Sequence, residues 1–167
     1  MRVAAYNRAV AEEKKRSRIL ALDVGNRRIG LAVTDELGIT AQGLRTLERT
    51  SKRRDLETLK KIARKYEVGE VVVGRPVHMS GDTSGQSERV EKFARELGEV
   101  LKLSVHFYDE RLTSWEAHEL LDREGLSREE KKGKVDQIAA TLILQGYLES
   151  KTQHRDTETQ RNVEEPS

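Results

Sequence analysis

The chain has no cysteine among its 167 residues. Disulfides, thiolate zinc sites and cysteine nucleophiles are therefore excluded, and any bound metal must be held by oxygen or imidazole ligands. The histidines, at 78, 106, 118 and 154, show none of the short spacings that are typical of metal ligands. Acidic side chains are then the main candidate ligands for a metal ion.

The sequence also lacks any apolar run of about eighteen residues, which a membrane-spanning helix needs. Its N-terminal segment has no apolar stretch of the kind found in a signal peptide. We therefore expect a soluble domain that is not secreted and makes no contact with a membrane. The net charge is only +2, so a nucleic-acid partner would have to be bound by local clusters of cations.

Apolar residues are concentrated in the middle of the chain, and both ends are polar. We interpret residues 1–17 as a solvated leader, and a misplaced start is the alternative explanation for this segment. Residues 151–167, in which Val163 is the only aliphatic side chain, are expected to be disordered. The sequence thus predicts one folded domain at 18–150, which is long enough for a modest core.

Hydrophobic periodicity within this domain predicts strands that are followed by alternating helices and strands. Two apolar runs around a short turn, Ile19–Val24 and Ile29–Thr34, indicate a β-hairpin. The other predicted elements are an edge strand, a helix, a strand, a helix, a strand and a helix, at 39–47, 51–66, 70–74, 86–102, 103–108 and 135–149. The order βββαβαβα predicts an α/β fold with a five-stranded mixed sheet flanked by helices.

Polar residues are placed at the ends of these elements. The loop at 78–85 follows the fourth predicted strand, where open α/β sheets bind ligands, but it is equally suited to capping the next helix. Asp23 ends an apolar strand, and it is either a turn former or a half-buried carboxylate that needs a cation. Glu110 follows the last strand and is either ion-paired with Arg111 or part of a site. Asp136 stands in the first turn of the last predicted helix, where the helix macrodipole alone would favour it.

Three acids from three separate elements point to one kind of chemistry. Oxygen ligands select Mg²⁺ or Mn²⁺, and such ions can hold a phosphodiester for in-line displacement. We therefore interpret Asp23, Glu110 and Asp136 as metal-binding and catalytic residues of a nuclease. Cations that would contact the backbone of a nucleic acid are Arg27, Arg28, Arg111, Lys131, Lys132 and Lys134.

The motifs that carry these acids resemble those of one protein family. They are Leu-Asp-Val-Gly-x-x-Arg-Ile-Gly-x-Ala-Val at 22–33, Gly74-x-Pro76, Gln86-x-Glu-Arg-Val90, Asp109-Glu-Arg-Leu-Thr113 and Val135-Asp-x-x-Ala-Ala-x-Leu-Ile-Leu-Gln145. Together they resemble the YqgF family, also called RuvX, over about residues 18–150 in order and with family spacing. The resemblance implies a ribonuclease H-like fold and a cytoplasmic bacterial nuclease that matures the 5′ end of precursor 16S ribosomal RNA.

By this resemblance Asp23 matches the first-strand acid of the family, Glu110 the acid after the last strand, and Asp136 the acid of the final helix. Asp109 is the weaker neighbour of Glu110. The chain departs from the family at Arg75, where leucine is usual between the glycine and the proline, and in the longer leader. Arg75 is therefore a candidate substrate contact that is particular to this sequence.

Other functions remain open at this point. A DNA endonuclease that resolves four-way junctions would use the same acids, because metal-bound carboxylates act on the phosphate and do not read the sugar. A non-catalytic module that binds nucleic acid or a transcription complex is the alternative from another class. The hairpin also resembles the phosphate loop of actin-like and sugar-kinase ATPases, but those folds need a second lobe. We expect a monomer or a weak homodimer, since each helix has one inward apolar stripe.

Overall fold

The computed structural model describes residues 18–76, 85–110, 119, 122 and 125–163. The predicted leader at 1–17, the loop residues 78–84, Arg111 and residues 164–167 lie outside this described part, as does the side chain of Glu110.

The elements follow the predicted order. The strands are β1 Arg18–Val24, β2 Arg28–Thr34, β3 Ala41–Glu48, β4 Val68–Pro76 and β5 Ser104–Glu110, and the helices are α1 Lys52–Lys65, α2 Gly85–Leu101 and α3 Arg128–Val163. The five strands form one sheet in the order β3-β2-β1-β4-β5. The pairs β1–β2 and β2–β3 are antiparallel, and the pairs β1–β4 and β4–β5 are parallel. The predicted five-stranded mixed sheet, with the third strand at an edge, is confirmed.

The sheet separates two layers of helix. On one face, alternate residues of β1 and β2 such as Leu22 and Leu31 pack with Leu59 of α1 and Phe93 of α2. On the other face, the small residues between them, such as Ala21 and Ala32, pack against α3 through Ala140, Ile143 and Leu144. We refer to these as the α1/α2 face and the α3 face. Because β1 is covered on both faces, its residues from Ile19 to Leu22 are all apolar and buried.

The helix α3 is longer than the sequence predicts at both ends. It begins at Arg128 and not at Val135, because the Ser127 side chain and backbone N–H both bond to Glu130 and cap an earlier first turn. It continues to Val163, so the predicted disordered tail does not begin at residue 151. The Lys151 ammonium group bonds to Glu70 of β4 at 2.8 Å and ties this part of the helix to the sheet.

The strand β5 also ends later than the predicted Tyr108. Its parallel pairing with β4 continues through Arg75↔Asp109 and Pro76↔Glu110, so Glu110 belongs to the strand and does not follow it. None of the helices formed by the described residues combines the length and the apolarity needed to cross a bilayer.

A polar cluster fastens α3 to the start of β4. The carboxylate of Glu70 accepts hydrogen bonds from the Tyr147 hydroxyl and from the Lys151 ammonium group, and His106 Nε2 lies 3.7 Å away. Burial alone would raise the pKa of Glu70, but the bonds from Lys151 and Tyr147 and the charge of Lys151 outweigh it, so that pKa lies below its usual value. Burial and the neighbouring carboxylate raise the pKa of Tyr147.

We expect Glu70→Gln to lower the free energy of unfolding by about 1–2 kcal/mol at pH 7, because it removes a charged hydrogen-bond acceptor. The folded pKa of Glu70 is depressed, so this stability is present above the unfolded value of 4.5 and is lost as pH falls through the folded pKa. Urea unfolding from about pH 7 down to about pH 3 should show that the unfolding free energies of the parent and of Glu70→Gln become equal in acid. Glu99→Gln, at an exposed position of α2, is the matched control. A difference in unfolding free energy between Glu70→Gln and the parent that stays constant with pH would contradict this assignment.

Candidate active site

The backbone of α3 packs directly against a glycine of β2, and this contact brings two of the predicted acids to one face of the sheet. Asp23 of β1 lies directly opposite Gly30 of β2 in the antiparallel register, so both positions face the same side. A Cβ atom built on Gly30 would lie 2.6 Å from the carbonyl carbon of Asp136 and closer still to its oxygen. The backbone of α3 therefore rests on Gly30, and Asp23 and Asp136 share the α3 face.

Asp136 is held by an arginine of the hairpin. Arg28 Nε donates to Asp136 Oδ2 at 2.8 Å, and both side chains are largely buried. Because α3 begins at Arg128, Asp136 lies about two turns inside the helix, beyond the reach of the N-terminal macrodipole. The dipole explanation that the sequence left open for Asp136 therefore does not hold. Arg28, which the sequence predicts to contact phosphate, contacts this carboxylate in the structure.

The third predicted acid is placed by strand register. Residue 109 pairs with Arg75, and the Arg75 guanidinium lies 3.3 Å from Asp109 and 3.5 Å from Glu91 of α2. Arg75 and Asp109 thus belong to the α1/α2 face. Since successive strand residues alternate between faces, position 110 belongs to the α3 face, with Asp23 and Asp136. The register separates Glu110 from Asp109, and it places Arg75 on the face opposite to the acids.

The other predicted phosphate contacts have different surroundings. Arg27 is exposed in the turn between β1 and β2, and Lys132 and Lys134 are exposed in the first turns of α3, ahead of Asp136. The Lys131 ammonium group lies 2.7 Å from Asp122, so its charge is partly compensated. Arg27, Lys132 and Lys134 remain accessible to a polyanion.

Arg49, which was not among the residues predicted from the sequence, fixes the turn after Asp23. Arg49 Nη1 donates to the Gly25 carbonyl at 2.9 Å, and the Arg49 backbone N–H donates to the Arg27 carbonyl at 2.9 Å. Its Nε bonds to Asp55, which is 2% exposed and also accepts the Thr50 N–H. Arg49 thus braces the turn from the α1/α2 face. The available signal for its partner Asp55 was an acid in the first turn of a cationic helix, seven residues after the end of β3.

The acids fit a hard divalent cation by their chemistry. Carboxylate oxygens are the ligands that Mg²⁺ and Mn²⁺ prefer, and Asp23 and Asp136 supply them at one place on the α3 face. His106 pairs with Val72 in the middle of β4 and contacts Glu70 near the start of that strand, so it is directed away from the end of the sheet that carries these acids. The described residues do not include the side chain of Glu110. Among the side chains that are described, no group of three acids or histidines is close enough to hold a metal ion.

Known proteins resemble this chain over most of its length. The family described as "RuvX: Holliday junction resolvase" matches residues 17–150. The protein named "Putative pre-16S rRNA nuclease" in Carboxydothermus hydrogenoformans is 47% identical over 137 residues, which cover 82% of this chain and 99% of that protein. The protein of the same name in Moorella thermoacetica is 49% identical over 132 residues, which cover 79% of this chain and 94% of that protein.

Two solved junction resolvases align with this fold. Thermus thermophilus RuvC, in complex with a Holliday junction substrate, aligns with a TM-score of 0.52 at 15% identity, covering 81% of this chain and 95% of RuvC. The fowlpox virus Holliday junction resolvase aligns with a TM-score of 0.50 at 13% identity, covering 80% of this chain and 99% of that protein. At such low identity the likeness concerns the fold alone, and it confirms the predicted ribonuclease H-like fold.

The contact at Gly30 gives a sharp test of the site's geometry. Gly30→Ala should lower the free energy of unfolding by about 3 kcal/mol or more, because the added methyl group meets helix backbone that cannot rotate away. Gly133→Ala is the matched control, since a Cβ there meets nothing within 4 Å and alanine favours a helix. Denaturant unfolding of both variants measures the difference. A Gly30→Ala protein as stable as the parent would show that α3 does not rest on this residue.

Proposed function

Since the chain belongs to the RuvX family, as the sequence predicts, we propose that it hydrolyses phosphodiester bonds with Asp23, Glu110 and Asp136 as its catalytic acids. The observation that carries this proposal is the contact of the α3 backbone with Gly30, directly beside Asp23. That contact sets two carboxylates from separate elements on one face at one end of the sheet. The register of β5 supports Glu110 as the third acid.

The three acids are suited to hold Mg²⁺ or Mn²⁺ together. Neighbouring carboxylates repel each other, and a divalent cation relieves that repulsion more effectively than a single arginine can. When bound, the cation supplies Lewis-acid stabilisation of the charge that develops on the phosphate during hydrolysis. The protein's own part is to fix the acids on rigid elements, a strand and a long helix, so that little reorganisation is needed.

Arg28 has two tasks in this proposal. Its Nε bond to Asp136 Oδ2 orients the carboxylate and offsets its charge in the absence of a cation. A guanidinium group has five N–H donors, so the same side chain keeps donors for a phosphate oxygen of the substrate. Arg28 thereby links the acid to the substrate backbone.

Exposed cations around the acids would bind the rest of the backbone. Arg27 in the β1–β2 turn and Lys132 and Lys134 at the start of α3 are exposed, and each is within four residues of Asp23 or Asp136 in the chain. Lys131 shares its charge with Asp122, and we assign it and Arg111 weaker parts in binding. Arg75 lies on the opposite face of the sheet. It would therefore contact the nucleic-acid substrate only beyond the segment that is bound at the acids.

The proposed substrate is precursor 16S ribosomal RNA, cut at its 5′ end in the cytoplasm. The names of the two bacterial relatives, each nearly half identical over almost its whole length, support this choice. A four-way DNA junction is the second candidate, because the family description and the related solved structures refer to junction resolvases. A resolvase makes paired cuts and normally acts as a symmetric dimer, whereas we propose a monomer or a weak homodimer.

Loss of either described acid should abolish cleavage. We expect Asp23→Asn and Asp136→Asn each to lower the cleavage rate by at least about 10³-fold, and the double variant to lose little more, because ligands of one site act as a unit. Both variants should also bind Mn²⁺ more weakly in calorimetric titration, and excess chelator should stop the parent enzyme. Asp109→Asn is the control, since residue 109 faces the opposite side of the sheet. Cleavage by Asp136→Asn at the parent rate would remove Asp136 from the site.

The substrate can be identified by direct competition. Labelled precursor ribosomal RNA and a synthetic four-way junction should be offered at equal concentration and at one stated salt concentration, because salt screens phosphate contacts. We expect the RNA to be cut near its 5′ end and the junction to be cut slowly or left intact. Asp23→Asn protein, purified in the same way, controls for contaminating nuclease. Paired symmetric cuts in the junction with the RNA left whole would make junction resolution the function.

A further inference from the structure

A cleft opens on the α1/α2 face at the same end of the sheet as the acids. It has a volume of about 460 Å³, within the range of ligand-binding clefts. Its floor is apolar and is formed by Val24, Val90 and Phe93. Its walls are the β1–β2 turn on one side and the first turns of α1 and α2 on the other. The polar and charged residues of these walls are Asn26, Arg49, Thr50, Ser51, Lys52, Asp55, Gln86, Arg89, Lys92 and Glu96.

The charges of the cleft do not balance. Arg49 is paired with Asp55 at 3.1 Å, and Lys52 is paired with Glu96 at 3.0 Å. Arg89 and Lys92 are both exposed, and within the described part of the chain neither forms an ion pair. The two acids of the cleft are thus already neutralised by two of its cations. The remaining positive charge belongs to α2, at the mouth of the cleft, and it favours an anionic ligand.

The cleft lies close to the proposed active site, on the other face of the same hairpin. Val24, Gly25 and Asn26, which line it, directly follow Asp23 in β1 and in the turn. Asp23 belongs to the α3 face and the cleft to the α1/α2 face, so the thickness of the β1–β2 hairpin separates them. Arg49 bonds to the Gly25 carbonyl and stabilises the turn between the two places. A chain molecule bound at the acids would pass over this turn, beside the exposed Arg27, and arrive at Arg89 and Lys92.

We propose that this cleft binds the single-stranded flank of the nucleic-acid substrate, one or more nucleotides away from the bond that is cut. The inference rests on the proposed function, since it needs a polynucleotide at the acids. Arg89 and Lys92 contact phosphates of the flank, and Gln86 and Asn26 are placed to hydrogen-bond its sugars or base edges. The Arg49 side chain is 25% exposed and its guanidinium lies over the Phe93 ring, so the opposite face of the guanidinium is where a base would stack.

The composition of the cleft favours a strand over a small ligand. Its cations are long side chains at an open rim, which suits a backbone that continues in both directions. Its hydrogen-bonding groups are spread along two helices and a turn and do not converge on one point. A free nucleotide would need that convergence to bind tightly, because it lacks the further phosphates of a strand.

The test compares two double variants that lose the same charge. Arg89→Gln with Lys92→Gln removes the two cations of the cleft. Lys61→Gln with Arg64→Gln removes two exposed cations from the other end of α1, about 14 Å or more along the helix from Lys52. Binding is measured by fluorescence anisotropy in chelator, which prevents cleavage, with an RNA that carries a single-stranded flank and with the same RNA trimmed of that flank. Each titration is repeated over a range of salt concentrations.

We expect the cleft variant to bind the flanked RNA about five- to tenfold more weakly than the parent. For this variant the slope of log affinity against log salt concentration should be shallower than for the parent by about 1.4, which is about 0.7 for each of the two lost phosphate contacts. Binding of the trimmed RNA should be the same for the cleft variant and the parent, and the control variant should match the parent on both RNAs. Uridine monophosphate should not compete with the flanked RNA at comparable concentration.

Other outcomes separate this inference from the proposed function. Equal binding of the flanked RNA by the cleft variant and the parent, while the parent cleaves that RNA with added Mg²⁺, would overturn the cleft and leave the nuclease intact. Loss of flank binding in the cleft variant, with no cleavage by the parent under any metal, would uphold the cleft and overturn the nuclease. Competition by uridine monophosphate at a concentration comparable to that of the flanked RNA would make the cleft a nucleotide site and not a strand site.

Discussion

The close contact between α3 and β2 at Gly30 is the constraint on which the arrangement of this protein depends. A long helix can approach a sheet so closely only where a strand presents no side chain, and the position opposite Gly30 in the sheet is Asp23. The reverse condition applies further along α3, where Gly146 of the helix leaves room for the side chain of Tyr108 in β5, since a Cβ there would clash with that side chain. Close packing of α3 thus depends on missing side chains on both the sheet and the helix. The position of α3 along the sheet decides that Asp136 is the acid that meets the hairpin.

The two faces of the sheet serve different purposes at the same end. The α3 face gathers the acids and leaves Arg28 to compensate Asp136. The α1/α2 face carries the larger apolar core, and it also braces the hairpin through Arg49 and the buried Asp55. A buried ion pair contributes little net stability, but it fixes one geometry because neither partner can be left alone in an apolar setting. Arg49 therefore sets the position of the turn that follows Asp23, and this turn joins the acids to the cleft.

The sequence was most informative where a pattern is local. Periodicity gave the eight elements in the right order, and capping residues such as Ser51 marked where helices begin. It was least informative at element ends. The strand β5 extends to Glu110 because β4 offers it two more partners, and α3 extends past Glu149 because Lys151 finds Glu70 on a strand far away in sequence. Such ends depend on neighbours that a local pattern does not contain.

The amino-acid sequence by itself determined the order of the elements, the identity of the candidate acids and, through its motifs, the family. It did so because hydrophobic period, turn chemistry and the absence of cysteine are properties of the chain read one segment at a time. Only the tertiary structure decided that Arg28 binds Asp136, that Arg75 and Asp109 face away from the acids, and that Arg49, Arg89 and Lys92 line one cleft. These facts depend on strand register and on how close two elements approach, since a shift of one residue in a strand moves a side chain to the opposite face of the sheet.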